Sequence, residues 1–291
     1  MSPSAKSLVL DLLSTQLEAS TPVRALVAAG SIFGLEENNV RVALARLLRR
    51  GLVERDERGR YRLGRSAEAV RERVAGWRRP RARLRPWKGG WVAVLGAPTR
   101  RRGSGLRSER ALRWLGMREL SPGLFVRPDN LKGGVAEARS DLRGLGLDPG
   151  ATVVRLDELD AEREQAARAL WDVPALQQGY RRSRAALARS AARLGSLGVE
   201  DAMVESFREG GQVIRQLVLD PLLPEEISPT AERDALVEAL RTYDRLGRSV
   251  WADFMGRHEV PHLRHPVDVR VAEAAHHFPA LGNGGVTLEN P

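Results

Sequence analysis

The chain has 291 residues, no cysteine, 47 Lys and Arg against 37 Asp and Glu, and a formal net charge of +10. That length exceeds a single small DNA-reading module and allows two or three domains with cores of their own, while the lack of cysteine excludes disulfides and thiolate-held metal and fits a reducing, cytoplasmic setting. Apolar runs are too short for a membrane span and no signal-peptide core precedes the first charged residues, so no membrane partner is expected.

The charge is uneven. Residues 1–90 carry 19 Lys and Arg against 9 Asp and Glu, whereas residues 91–291 carry 28 against 28. The whole excess lies in the N-terminal third, the pattern of a polyanion-binding head on a neutral body.

In chain order, Leu8, Val9, Leu12 and Leu13 predict a first helix. Thr21-Pro22 reads as an N-cap followed by proline at the first helical position, Val23, Leu26 and Val27 as the apolar face of a second helix, and Gly30 as its end. A third helix opens at Glu36-Glu37, which suit the positive end of the helix dipole as caps, one of them free to accept from a cytosine amino group. Val40, Ala43, Leu44, Leu47 and Leu48 form its apolar stripe. Asn38, Asn39, Val42, Arg46 and Arg49 fall on the opposite side, with Arg41 and Arg50 flanking. Asparagine pairs a donor and an acceptor onto adenine and arginine forks onto guanine or phosphate, so this outward set can read a major groove. Gly51 then stops the helix. Leu52-Val53 and Tyr61-Arg62-Leu63 predict two short strands joined at Asp56 to Arg60, a hairpin that would carry Arg58 and Arg60 to phosphate or the minor groove. This is the sequence form of a winged helix-turn-helix. A basic, solvated helical bundle with no nucleic-acid role is the alternative for the same charges.

Ala67, Val70, Val74 and Trp77 predict a fourth helix, closing a head at residues 1–77. Residues 78–90 read as a basic linker, whose Pro80 and Pro86 favour an extended, stiff connector. Its arginines either track DNA or are simply solvated. Residues 91–160 alternate strand and helix: strands at 91–95, 124–126 and 151–156, helices at 106–115 and 135–145, and one further strand near Met117 to Leu120. That order suggests a middle ferredoxin-like domain. Residues 161–260 predict helices at 161–170, 175–194, 200–219 and 230–255, and residues 261–291 a tail rich in His, Pro and Gly. The fold class expected is therefore α+β and multidomain.

Three passages carry a family resemblance: Val40 to Leu47 in the head, Leu112-Arg113-Trp114-Leu115-Gly116-Met117 leading into Ser121-Pro122-Gly123-Leu124-Phe125-Val126, and Leu219-Asp220-Pro221-Leu222-Leu223-Pro224. In these the chain resembles the PaaX-type transcriptional repressors of phenylacetate catabolism. The resemblance implies an N-terminal winged helix-turn-helix, a middle ferredoxin-like (Cas2-like) α/β sandwich and a C-terminal helical domain. It further implies a homodimeric repressor on double-stranded operator DNA, released by an aryl-acetyl-CoA thioester such as phenylacetyl-CoA. The chain departs from the family pattern at Glu225-Glu226-Ile227-Ser228-Pro229, where a Trp-containing stretch is expected, and at Gly210-Gly211.

Other motifs carry weaker chemistry. His258-Glu259-Val260-Pro261-His262 has zincin spacing, but Pro261 breaks the helix that would align the imidazoles, and a solvated tail or an incidental metal site with His265 is the simpler reading. The strand ending Leu95-Gly96-Ala97-Pro98 lacks the carboxylate a Cas2-like nuclease needs. The loop with Arg100, Arg101 and Arg102 is either solvated or a seat for CoA phosphates, and Arg113 with Trp114 either offers an effector pocket a cation and an aromatic plate or marks core packing. No cofactor and no enzymatic activity are expected. The alternatives are a metal-dependent hydrolase or nuclease, and a DNA-binding regulator without an effector.

Overall fold

The computed structural model describes residues 3–14, 20–64, 76–97, 104–258 and 260. In chain order the elements are α1 (Ala5–Ser14), β1 (Thr21–Pro22), α2 (Val23–Ile32), α3 (Glu37–Arg49), β2 (Val53–Arg55) and β3 (Arg60–Leu63). There follow β4 (Trp91–Leu95), α5 (Ser104–Trp114), β5 (Arg118–Ser121), β6 (Leu124–Pro128), α6 (Gly134–Gly144) and β7 (Thr152–Leu156), then α7 (Ala161–Arg168), α8 (Val173–Leu194), α9 (Val199–Val218) and α10 (Ala231–Arg257). The chain is thus mixed α+β with two small antiparallel sheets. It divides into two compact units, the first made of Met1–Arg78, Ser183–Val218 and the chain from Val237, the second of Arg79–Arg182 and Leu219–Leu236.

In the first unit, three strands lie in the order β1-β3-β2, with Thr21 opposite Tyr61 and Val53 opposite Leu63. Thr21 therefore serves as a strand residue, and the position before α2 is taken by Pro22, which has no side-chain cap to offer. Gly30 does not end α2 but lies inside it. A Cβ there would stand 2.7 Å from Val40 Cγ2, so the glycine lets α2 and α3 cross closely, and the turn falls to Gly34 at φ +72°. At the other end of α3, Gly51 is left-handed at φ +63°, its N–H donates to the Leu48 carbonyl at 2.9 Å, and Leu52 N–H donates to Leu47 O at 3.0 Å. This is a Schellman stop, which satisfies carbonyls the helix itself cannot.

The core of this unit joins distant stretches of chain. Leu8, Leu13, Leu26, Leu44 and Leu47 from the head share one buried cluster with Met203 and Phe207 of α9 and Phe254 and Met255 of α10. Phe33, at the end of α2, places its ring 4.8 Å from Phe207 and 6.2 Å from Trp251. Polar ties accompany the apolar ones: Asp244 of α10 accepts Arg78 Nη2 at 2.6 Å and also pairs with Arg248, while buried Glu205 accepts Ser190 Oγ at 2.8 Å and Arg208 Nη2 at 2.7 Å. Buried carboxylates are stable only when paired in this way.

In the second unit, a four-stranded antiparallel sheet has the order β5-β6-β4-β7, Trp91 standing opposite both Pro128 and Leu156. The strand anticipated near Met117 to Leu120 is β5. Trp91 is fully buried, stacks on Trp171 at 6.3 Å, meets Trp87 edge-on at 5.4 Å and donates its indole N–H to Glu164 at 2.8 Å. The expected extended connector is instead folded: Pro80–Arg83 forms a 3₁₀ turn, Leu84 bridges to Leu131, and Arg81 and Arg85 pair with Asp234 and Asp129. Proline's fixed φ is compatible with the start of such a turn, and the arginines have acids to reach.

Two of the passages singled out in the sequence meet in this unit. Gly116, at φ +69°, has no room for a Cβ, which would lie 2.6 Å from Pro221 Cα. Arg127 donates to the carbonyls of Leu115 and of Pro221, the latter at 3.2 Å, and Asn130 Nδ2 donates to Leu222 O at 2.7 Å. Asp220 accepts the Tyr180 hydroxyl at 2.5 Å and Leu222 N–H at 2.8 Å, holding Leu222 at the unusual φ of +51°. Burial pushes the Asp220 carboxyl up, opposed by the Arg233 guanidinium and the Tyr180 hydroxyl.

Candidate nucleic-acid interface

The amphipathic pattern of α3 sets its orientation: Val40, Ala43, Leu44 and Leu47 are buried. Asn38, Asn39, Arg41, Val42, Arg46 and Arg49 are all exposed on the outward side. Leu48, assigned to the apolar stripe from sequence, is 40% exposed. Four buried positions already fill the seam against α1 and α2, and Leu48 turns past its edge. Val42 is also exposed, an apolar group among amides and guanidiniums.

The opening turn of α3 departs from the expected caps. Glu36 occupies the N-cap position without a side-chain hydrogen bond, and Glu37 Oε1 instead accepts Arg41 Nε at 2.6 Å and Nη2 at 2.5 Å. An exposed pair one turn apart contributes a few tenths of a kcal/mol, about 0.3–0.5 kcal/mol.

The hairpin between β2 and β3 is built on Asp56. Its carboxylate accepts Arg58 N–H at 3.0 Å, Arg60 N–H at 2.8 Å and the Ser20 hydroxyl at 2.5 Å, while Gly59 takes φ +75°. The Ser20 hydroxyl foremost, then the backbone N–H of Arg60, hold the Asp56 carboxyl below the ordinary carboxylate range. Arg58 is exposed at the turn. Arg60 is engaged differently, for its Nε and Nη2 donate to the Ser20 carbonyl at 3.0 and 2.7 Å and tie β3 to the chain entering β1.

One further cation escaped the sequence reading. Lys6, at the start of α1, lines an open groove of about 680 Å³ together with Asn39, Val42, Arg46, Arg49 and Arg50. Burial, then the neighbouring Arg50 charge, push the Lys6 ammonium down. A lone lysine before an apolar helix carries no signal in sequence; only folding brings residues 6 and 50 together.

The other sequence candidates are scattered. Arg100, Arg101 and Arg102 lie outside the described residues, as do Ala67, Val70, Val74, Glu259, Pro261, His262 and His265. Trp77 is buried in a short 3₁₀ turn, Gly76–Arg78. Arg113 is exposed, whereas Trp114 is 5% exposed between Leu112 and Leu115 in the core. His258 packs against Phe254 with ring centres 4.5 Å apart. Among the described residues no group of three or more His, Asp or Glu is placed to hold a metal ion, and no helix is long and apolar enough to cross a membrane.

In fold, the chain is similar to the uncharacterized protein Rv0674 from Mycobacterium tuberculosis, with a TM-score of 0.58 and 24% identity over 88% of this chain and 99% of that one. No curated protein matches the sequence. The family model described as PaaX-like protein matches residues 4–67, the stretch that holds α1 to α3 and the β2–β3 hairpin. By that match the N-terminal segment of this chain is similar to the PaaX-like family.

Proposed function

We propose that the chain is a DNA-binding transcriptional regulator that acts as a repressor, with α2 and α3 as the helix-turn-helix, the β2–β3 hairpin as its wing, and β4 to β7 with α5 and α6 as a ferredoxin-like sandwich. The observation that carries this reading is the exposed face of α3, where two asparagines and three arginines surround Val42 within the family-matched segment. Asn38, Asn39, Val42 and Arg46 would meet base edges, Val42 offering an apolar contact to a thymine methyl, while Arg41, Arg49 and Arg58 would meet phosphate. Arg60 would act through the wing's shape, given its bonds to Ser20.

The family resemblance supports the finer assignments: a cytoplasmic homodimer on an inverted-repeat operator, with half-sites about one helical turn apart, released by an aryl-acetyl-CoA or related acyl-CoA thioester. Arg100 to Arg102 would offer cations to the CoA phosphates, joined by exposed Arg113. Trp114, being buried, would shape an acyl pocket from behind rather than plate its wall.

The test is footprinting and anisotropy on the promoter nearest the protein's own coding sequence. Asn39→Ala should cost about 1–3 kcal/mol for the preferred site and leave unrelated duplexes unaffected, whereas Arg58→Ala should weaken all sequences alike and lower the salt dependence. Unchanged protection in both variants would remove this face from the reading.

A further inference from the structure

The groove between the start of α1 and the C-terminal part of α3 is lined by four cations, Lys6, Arg46, Arg49 and Arg50, and by no carboxylate. Elsewhere in the same unit arginines are matched to acids: Arg41 to Glu37, Arg62 to Glu54, Arg78 to Asp244 and Arg208 to Glu205. Like charges gathered along one open groove repel one another. Such an arrangement is stable when an anion completes it.

We propose that Lys6 and Arg50 form a seat for one DNA phosphodiester, clamping the backbone at the end of α3 while the helix's first turns face the bases. The proposal rests on the DNA-binding reading and deepens it. A backbone phosphate is favoured over a free anion because the groove is continuous with the readout face: Asn39 and Val42 line it as well. It is open rather than enclosed, with room for a strand to pass. A helix-turn-helix needs such a contact, since base readout by the early part of the recognition helix requires phosphate anchors to fix its register. The depressed proton affinity of Lys6 is consistent with this, for a phosphate in the seat would restore it.

The experiment uses the full chain and a mixed-sequence duplex of about 20 base pairs, titrated by fluorescence anisotropy over a series of salt concentrations. Lys6→Gln and Arg50→Gln should each lower the slope of log K against log salt by part of about 0.9, and the double variant by about 0.9, the contribution of one phosphate. Lys6→Arg should keep the wild-type slope, and circular dichroism melting should show all four variants folded. A double variant that is folded yet keeps the full slope overturns the seat and leaves the DNA reading standing. A wild-type chain that binds no duplex at all overturns both. Inorganic phosphate at matched ionic strength distinguishes a free-anion site: if it raises the melting temperature of the wild type but not of the double variant, while both bind DNA with the same salt slope, the groove takes free phosphate and the clamp is wrong.

Discussion

At Asp56 one side chain organises the whole β2–β3 turn, accepting from two backbone N–H groups and the Ser20 hydroxyl. Because those bonds favour the ionised form, the folded protein binds this proton less tightly than the unfolded chain does. The resulting stability is present above the ordinary carboxylate range and is lost as pH falls through the lowered folded value. Carbon-detected NMR titration should therefore place the Asp56 midpoint below that of a free aspartate; a midpoint at or above it would show that the turn's hydrogen bonds do not persist in solution. Asp56→Asn keeps one oxygen for the Arg58 and Arg60 N–H groups but removes the oxygen that accepts the Ser20 hydroxyl, and should loosen the turn, read as faster amide hydrogen exchange at residues 57–60.

At the scale of elements, the α2–α3 crossing depends on Gly30 and Val40. Alanine at 30 gains about 0.5–1 kcal/mol of helix propensity, yet its Cβ would stand 2.7 Å from a fully buried, branched Val40, and overpacking of that kind costs about 1–3 kcal/mol. Gly30→Ala should therefore destabilise the protein by about 1 kcal/mol in urea unfolding, and Val40→Ala in the same chain should cancel most of that crowding term, so that the two changes are clearly non-additive. Additive effects would mean the helices relax apart without cost. In the second unit, Arg127 donates to three backbone carbonyls and to the Asn130 side chain from a buried position. Arg127→Ala leaves those acceptors without their donor and should cost about 3 kcal/mol or more, seen as a lower denaturant midpoint with intrinsic tryptophan fluorescence reporting through Trp91 and Trp171.

At the scale of the whole molecule, the head does not own its core. Phe33 meets Phe207 and Trp251, and Met203, Phe254 and Met255 complete the cluster around Leu26 and Leu44. A fragment ending at Arg78 should accordingly unfold at a markedly lower temperature than the full chain and expose apolar surface to a dye such as anilinonaphthalene sulfonate. Phe207→Ala in the full chain should cost about 3 kcal/mol. A fragment that melts cooperatively at the temperature of the full chain would refute this. What the sequence determined by itself was local: the outward face of α3, the Gly51 stop, the hairpin, the charge asymmetry and the alternation that becomes β4 to β7 all follow from side-chain periodicity and from glycine's freedom at positive φ. Tertiary structure alone decided that Thr21 joins a sheet and that Gly30 marks a crossing instead of an end. It alone recruited Arg60 to Ser20, brought Lys6 to Arg50, and completed the head's core with α9 and α10. The reason is physical: periodicity tells which side of an element must be buried, but an apolar stripe carries no record of which distant stripe will cover it, and that choice is made by shape and volume when the chain closes on itself.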